Sequence, residues 1–408
     1  MSLHHDETYG QMSNTPHQRE QQIKDFDAMY EFVLSSYCYF AEKATDWEKV
    51  GRLYHPRACT ARNIEKFTSV LEEVLDQLYD PHTHIVSSPA IFWHPSVSDI
   101  YAEWRDDKVV VLEIRPNSQA ASAGIEPGEE ILFINGVSPL EKVNEQRLCC
   151  LRYPDPSADA WTLLSVLSRR PNYARTLVIR NNKDVERTIR LNDFPIPPKP
   201  TGPLVRVQLL PDGFGYVRIA SFTSPEVISE FDHALDALRN TKGLIIDVRN
   251  NPGGDTAIAR PIMGRLIQEK KQYAWMARRD GVGLGNRWPE YVEPRGPWTY
   301  AQPCVILVNH WSASMAEGFA MGLDGMKRGI VIGTRMAGLG AAVSHKQLSY
   351  SKINLQISTE PVYHIDGTPR FMFTPAVEVN TIISSSLDSN HLDPFLEAGV
   401  RVLRNERF

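Results

Sequence analysis

Two serines, Ser312 and Ser314, stand where an apolar run gives way to a helical pattern. Cys304 to Val308 is unbroken apolar sequence and reads as a buried strand. Asn309-His310-Trp311 is a short polar turn, and Ala316, Phe319, Ala320 and Leu323 then recur at the three- and four-residue spacing of a helix with one buried face. Ile330 to Gly333 closes the unit as a further strand. The first N–H groups of a helix have no acceptor within it and carry the positive end of its dipole. A hydroxyl held there can attack a carbonyl while neighbouring amides receive the developing oxyanion. A serine before a helix can equally be a plain N-cap, so a second feature is needed. It lies upstream, where the apolar strand Leu244 to Val248 runs into Arg249-Asn250-Asn251-Pro252-Gly253-Gly254. Such a turn lets backbone amides point into a cleft, although a tight turn would ask for the same glycines. Two strand ends in one sheet, at Gly253 and at Ser314, would each offer exposed amides at a helix start.

The elements that must position these residues follow from periodicity. From Ile23 to about Tyr79 the chain reads as helical, with Phe67, Val70, Leu71, Val74, Leu75 and Leu78 on one face. Breaks are expected at Asp46-Trp47 and Tyr54-His55-Pro56, since proline ends a helix. Residues 1–22 are polar and read as a disordered tail, and 23–95 as a helical N-terminal module. Residues 96–193 alternate in short strands, among them Val109 to Ile114 and Ile131 to Ile134, the latter ended by Asn135-Gly136, a tight-turn signal. Five prolines between Phe194 and Pro203 make a stiff extended linker. From 204 to 408, strands alternate with amphipathic helices, which argues for an α/β core with a mostly parallel sheet and chemistry at the strands' carboxyl ends.

Composition bounds the partners. The chain has 408 residues, 42% hydrophobic and 23% charged, as in an ordinary soluble globular protein, and its net charge of −5 gives no reason to expect nucleic acid or an anionic membrane. No apolar run approaches the length of a membrane span. Five cysteines without metal-type spacing read as core or free thiols. No metal-binding, phosphate-loop or dinucleotide motif is present, so no metal or cofactor is expected. The polar start lacks the apolar core of a signal peptide; the location is extracytoplasmic if an export signal was removed and cytoplasmic otherwise.

Taken together, Pro116 to Gly136, with its small-residue helix before Gly124, its Pro127-Gly128-Glu129 turn and its Ile134-Asn135-Gly136 ending, resembles a PDZ domain. Such a domain would capture an extended peptide as an added strand. The string Gly243 to Gly254, then Ser312-Ala313-Ser314-Met315-Ala316-Glu317, then Val331-Ile332-Gly333, resembles the carboxyl-terminal processing (tail-specific) serine proteases and their tricorn-like relatives. The resemblance implies a crotonase/ClpP-like α/β protease core preceded by helical and PDZ-like modules. It makes Ser314 the nucleophile, Gly253 and the Met315 amide the oxyanion donors, and Glu317 an orienting or structural residue. The processing branch has a lysine base twenty-five residues after its serine, where this chain has Leu339. The tricorn-like branch uses a histidine in a Leu-x-Asp-x-His-Thr pattern, which Leu78-Tyr79-Asp80-Pro81-His82-Thr83 matches. The resemblance therefore places the chain nearer that branch and makes His82 the base, a role that suits an imidazole titrating near neutrality. Glu360 or Asp366 would orient His82, with Glu360 preferred. The implied function is a serine peptidase cleaving unfolded or C-terminal polypeptide segments, with oligomerisation open. The alternative is a family member without catalysis that binds peptide or ligand, favoured by Leu339 and by the altered ending Phe373 to Val377.

Overall fold

A computed structural model of the chain describes residues 15–89, 98–168, 174–191, 202–281, 283–382 and 393–405. The proline-rich stretch lies outside the described residues up to residue 201.

Six strands form the central sheet, in the order Val377–Glu378, Ile330–Gly333, Cys304–Val308, Leu244–Asp247, Gly215–Ile219 and Val205–Leu209. All neighbours are parallel except the last pair. Cys304–Val308 and Leu244–Asp247 are buried throughout, as central strands covered on both faces should be. Alternate residues go to opposite sides. Ile246 and Ile306 join Phe231, Ile262 and Phe319 from the helices Glu226–Ala237, Thr256–Gly264 and Met315–Gly325, whereas Ile245, Val305 and Leu307 pack with Phe395 of the helix Pro394–Leu403.

A second, antiparallel sheet is built on the long strand Asn354–Tyr363, which pairs with His84–Ser87, Ala341–Gln347 and Lys271–Met276. This sheet joins the N-terminal helices to the rest. Phe26, Met29, Val33, Phe67, Leu71 and Val74 share one apolar cluster with Ala341, Leu348, Ile353, Leu355 and Ile357. Two expectations for the helical segment need correction. The first helix begins at Pro16, inside the stretch expected to be a disordered tail, because Thr15 and Gln18 form a reciprocal capping box and Pro16 occupies the first turn. The second, Trp47–Cys59, runs through Pro56 instead of ending there. Its start is fixed by Asp46, whose carboxylate accepts from the Lys49 N–H at 2.9 Å, and a proline in the last turn removes a single helical hydrogen bond.

The β-rich segment forms a five-stranded antiparallel sheet, Ile100–Arg105, Lys108–Ile114, Glu130–Ile134, Arg175–Arg180 and Glu186–Leu191 in spatial order, with an apolar cluster of its own. Asn135 and Gly136 both have positive φ, 52° and 81°, as a tight two-residue hairpin turn requires. Among the described residues no helix is long and apolar enough to cross a membrane.

Candidate active site

The strand Cys304–Val308 ends in a turn that Ser312 closes. Its hydroxyl donates to the Val248 carbonyl at 2.8 Å and accepts from the Asn309 N–H at 3.0 Å, and the side chain is fully buried. Asn309 ties this turn to the neighbouring strand end by accepting from the Asn250 N–H at 2.9 Å. Ser312 is therefore committed to structure. Ser314, two residues on and half-buried, has φ 53° and ψ −114° and stands at the N-cap of the helix Met315–Gly325. That backbone conformation is sparsely populated for a residue with a Cβ, at a cost of about 1–3 kcal/mol. A strained serine on a strand-to-helix turn is the geometry that exposes a nucleophilic hydroxyl beside first-turn amides.

Gly253 packs directly against it. With φ +94°, a Cβ at this position would lie 2.7 Å from Met315 N, 2.6 Å from Ala313 O and 2.8 Å from Ser314 Cβ. The Asn-Pro-Gly-Gly turn and the Ser314 turn thus touch, and the Ala313 N–H donating to the Asn251 carbonyl at 2.9 Å holds them together. Met315 contributes a first-turn amide with no intrahelical acceptor. The Gly253 N–H is engaged in this structure, donating to Asn251 Oδ1 at 2.8 Å. Asn251 is itself fully buried and anchored through Nδ2 to the Ile219 carbonyl.

Glu317 lies one turn into the helix, buried. Its Oε1 accepts from the Ser314 N–H at 2.9 Å and the Leu339 N–H at 2.8 Å, and its Oε2 from the Gly338 N–H at 3.1 Å. Burial raises its carboxyl pKa, against the opposing pull of Arg370 and these three amides. Arg370, buried too, donates through Nε to the Leu339 carbonyl at 2.8 Å and through Nη2 to the Ala341 carbonyl at 3.0 Å. The same Ala341 carbonyl favours the protonated form of the His82 ring. Ser314 is thereby tied through Glu317 to Gly338 and Leu339, and the charge of Arg370, bonded to Leu339 and Ala341, bears on His82, 232 positions from Ser314 in sequence.

His82 is delivered there by strand pairing. His84–Ser87 pairs with the strand Asn354–Tyr363, Gln356 Nε2 donates to the His82 carbonyl at 3.0 Å, and the Ser358 N–H donates to Thr83 Oγ1 at 3.1 Å. Asp80 pins the turn, accepting from the His82 N–H at 3.0 Å and the Thr83 hydroxyl at 2.7 Å. The imidazole is buried and Nδ1 has no hydrogen-bond partner. Burial first, and the Arg370 charge second, push its pKa down to about 3, opposed by Asp80 and Ala341. The ring is therefore neutral at neutral pH, but its pKa lies well below the near-neutral titration expected of it from the sequence, because burial and the Arg370 charge disfavour the imidazolium.

Glu360 does not orient this ring. Its carboxylate is taken by Arg278, whose Nε donates at 2.7 Å. Arg278 reaches it because Lys271–Met276 pairs with Asn354–Tyr363, a contact that sequence position does not reveal. Asp366, the other carboxylate considered, pairs with His364 Nδ1 at 2.9 Å. The carboxylate whose charge favours protonated His82 is Asp80, already visible in the Leu-x-Asp-x-His-Thr pattern. Arg370 and Asn251 carried no sequence signal of their own as parts of a site, because their roles depend on backbone carbonyls and amides brought in from elsewhere.

Residues 213–379 match the profile of peptidase family S41. The chain is 26% identical over 299 residues to carboxyl-terminal-processing peptidase 3, chloroplastic, of Arabidopsis thaliana, covering 68% of this chain and 53% of that protein. It is 24% identical over 300 residues to the carboxyl-terminal-processing protease of Synechocystis sp., covering 71% and 65%. The chain thus spans between about half and two thirds of the length of these relatives. Among solved structures, mature CPAF superposes with a TM-score of 0.67 at 15% identity, over 96% of this chain and 99% of that one. The photosystem II D1 C-terminal processing protease superposes with a TM-score of 0.55 at 21% identity, over 94% and 97%. At these identities the structural likeness is one of fold.

Proposed function

We propose that this chain, whose α/β core belongs to peptidase family S41, is a serine peptidase acting on unfolded or C-terminal polypeptide segments. The observation that carries the reading is the strained Ser314 elbow seated between the Met315 amide and Gly253. A serine that only capped a helix would sit in ordinary extended backbone. Ser314 Oγ attacks the scissile carbonyl. His82, neutral and with its Nδ1 unpartnered, takes the hydroxyl proton and returns it to the leaving amine. Asp80 supplies the negative charge that favours the imidazolium formed in between. The oxyanion is received by the Met315 amide and, once it leaves Asn251 Oδ1, by the Gly253 amide; losing one such donor typically costs about 2.7–4 kcal/mol of transition-state stabilisation.

Leu339 stands where the processing branch has its lysine, and its side chain is buried while its backbone serves Glu317 and Arg370. That supports a histidine base and a place nearer the tricorn-like branch. The β-rich segment would act as a PDZ-like module that gathers the substrate. A binding protein without catalysis would have no use for the elbow or its strain.

The test is labelling of the full chain with a fluorophosphonate, together with cleavage of an unstructured peptide. Ser314 labels and Ser314→Ala does not, and His82→Ala lowers both cleavage and labelling by a factor of 10² or more. Full cleavage by His82→Ala would eliminate the assigned base; no reaction in the wild type by either assay would overturn the reading.

A further inference from the structure

The β-rich segment contacts the Asn309–Ser312 turn that leads to Ser314. Glu113, at 5% exposure, reaches out of the strand Lys108–Ile114. Its Oε1 accepts from the His310 N–H at 3.3 Å and from the Thr334 hydroxyl. His310 stacks face to face on Tyr101 of the adjoining strand, with ring centroids 3.6 Å apart and planes 6° apart. Trp311 Nε1 donates to the Ser98 carbonyl at 3.0 Å. Thr334 directly follows the strand Ile330–Gly333, next to Cys304–Val308 in the sheet.

We propose that Glu113 is a positioning residue for the reaction: it clamps the Asn309–Ser312 turn from outside the α/β core and so fixes the elbow on which Ser314 sits. The turn is held from within by Ser312 and Asn309, which bond to Val248 and Asn250 on the other catalytic strand end. Its opposite side is held by Glu113, Tyr101 and Ser98. A buried carboxylate accepts two donors that would otherwise be orphaned, and an orphaned buried donor is costly. Removing the clamp frees the turn to shift, and a shift of about 1 Å at a reacting group costs on the order of 10²-fold in rate. The β-rich segment is then a wall of the active site as well as a place to gather peptide. Glu113 touches no reacting atom and acts through the backbone.

This inference rests on the peptidase reading, and the experiment separates the two. Glu113→Ala, Glu113→Gln and, as a second route to the same contact, Thr334→Val are made in the full chain. Three quantities are measured: the fluorophosphonate labelling rate of Ser314, kcat and KM on an unstructured peptide, and hydrogen exchange of the amides in residues 309–316. The expected result for Glu113→Ala is labelling and kcat slowed by about tenfold or more with KM nearly unchanged, and faster exchange across 309–316. Glu113→Gln, which keeps an oxygen for the His310 N–H, recovers to within about threefold of the wild type. Thr334→Val falls between. Unchanged exchange and unchanged labelling in the folded Glu113→Ala protein would overturn the clamp, as would a rise in KM alone, which would assign Glu113 to peptide capture. Exchange is read without any activity, so a wild type that never labels would defeat the peptidase reading while still deciding whether Glu113 holds the turn.

Discussion

Replacing Gly253 by alanine tests whether the two backbone turns form one site. The added Cβ would stand 2.6 Å from Ala313 O, 2.7 Å from Met315 N and 2.8 Å from Ser314 Cβ. None of these can be relieved by a rotamer change, because two are backbone atoms and the third is a β-carbon on a strained residue. The substitution also places a Cβ on a residue at φ +94°, for which a penalty of about 1–2 kcal/mol is expected on its own. The turns must therefore separate, and separation carries the Gly253 amide away from the Met315 amide. Loss of one oxyanion donor corresponds to a fall in kcat of about 10² to 10³. Gly136→Ala is the matched control: its φ is +81° and no heavy atom lies within 4 Å of the added Cβ, so it pays the conformational penalty without the collision. The assay is kcat and KM on an unstructured fluorogenic peptide, with thermal unfolding of both variants. Gly253→Ala should lose kcat with little change in KM, while Gly136→Ala loses some stability and keeps kcat. A folded Gly253→Ala protein with kcat within threefold of the wild type would refute the oxyanion assignment and the contact on which it stands.

Three further expectations follow from the site. His82 is held neutral, its folded pKa pushed down to about 3 against an ordinary value of 6.5; the unfolded chain therefore binds a proton that the folded one does not between these pH values. This contribution to stability is complete above pH 6.5 and is lost as pH falls toward 3, so in denaturant titrations the wild type should lose more stability between pH 7.5 and 5 than His82→Gln does. Arg370→Met removes a charge that depresses the His82 pKa, and the acid limb of the kcat/KM profile should move toward neutrality; an unmoved limb would detach Arg370 from the base. Glu360→Ala breaks only the pair with Arg278, whose side chain is 71% exposed, so activity should be retained and stability should change by less than about 1 kcal/mol; a large loss of kcat would restore Glu360 to the site.

The periodicities that announce helices and buried strands are local, and they were readable. The strand-turn-helix around Ser314 and the turn at Gly253 are in the structure where their patterns put them. Capping chemistry was also present in the sequence at Thr15 and Gln18, although a polar composition hid it. The choice between Ser312 and Ser314 was not a local matter. Ser312 is disarmed by a carbonyl on a strand sixty-odd residues upstream, Val248, and only the parallel pairing of Leu244–Asp247 with Cys304–Val308 makes that contact. The engagement of Glu360 by Arg278 is non-local for the same reason: Arg278 lies just beyond Lys271–Met276, and only the pairing of that strand with Asn354–Tyr363 brings the two side chains together.

What the sequence determined by itself is the set of reactive types and their local settings: a serine at a helix start, glycines able to take positive φ, a histidine behind an aspartate. What only the tertiary structure decided is the wiring among them. Glu317 ties Ser314 to the backbone of Gly338 and Leu339, Arg370 ties that segment to Ala341 and places a charge beside His82, and Glu113 reaches the Asn309–Ser312 turn from a separate sheet. These links run through peptide N–H and C=O groups, which every residue carries alike. No residue type marks them, so they become visible only when the fold brings the groups within hydrogen-bond distance.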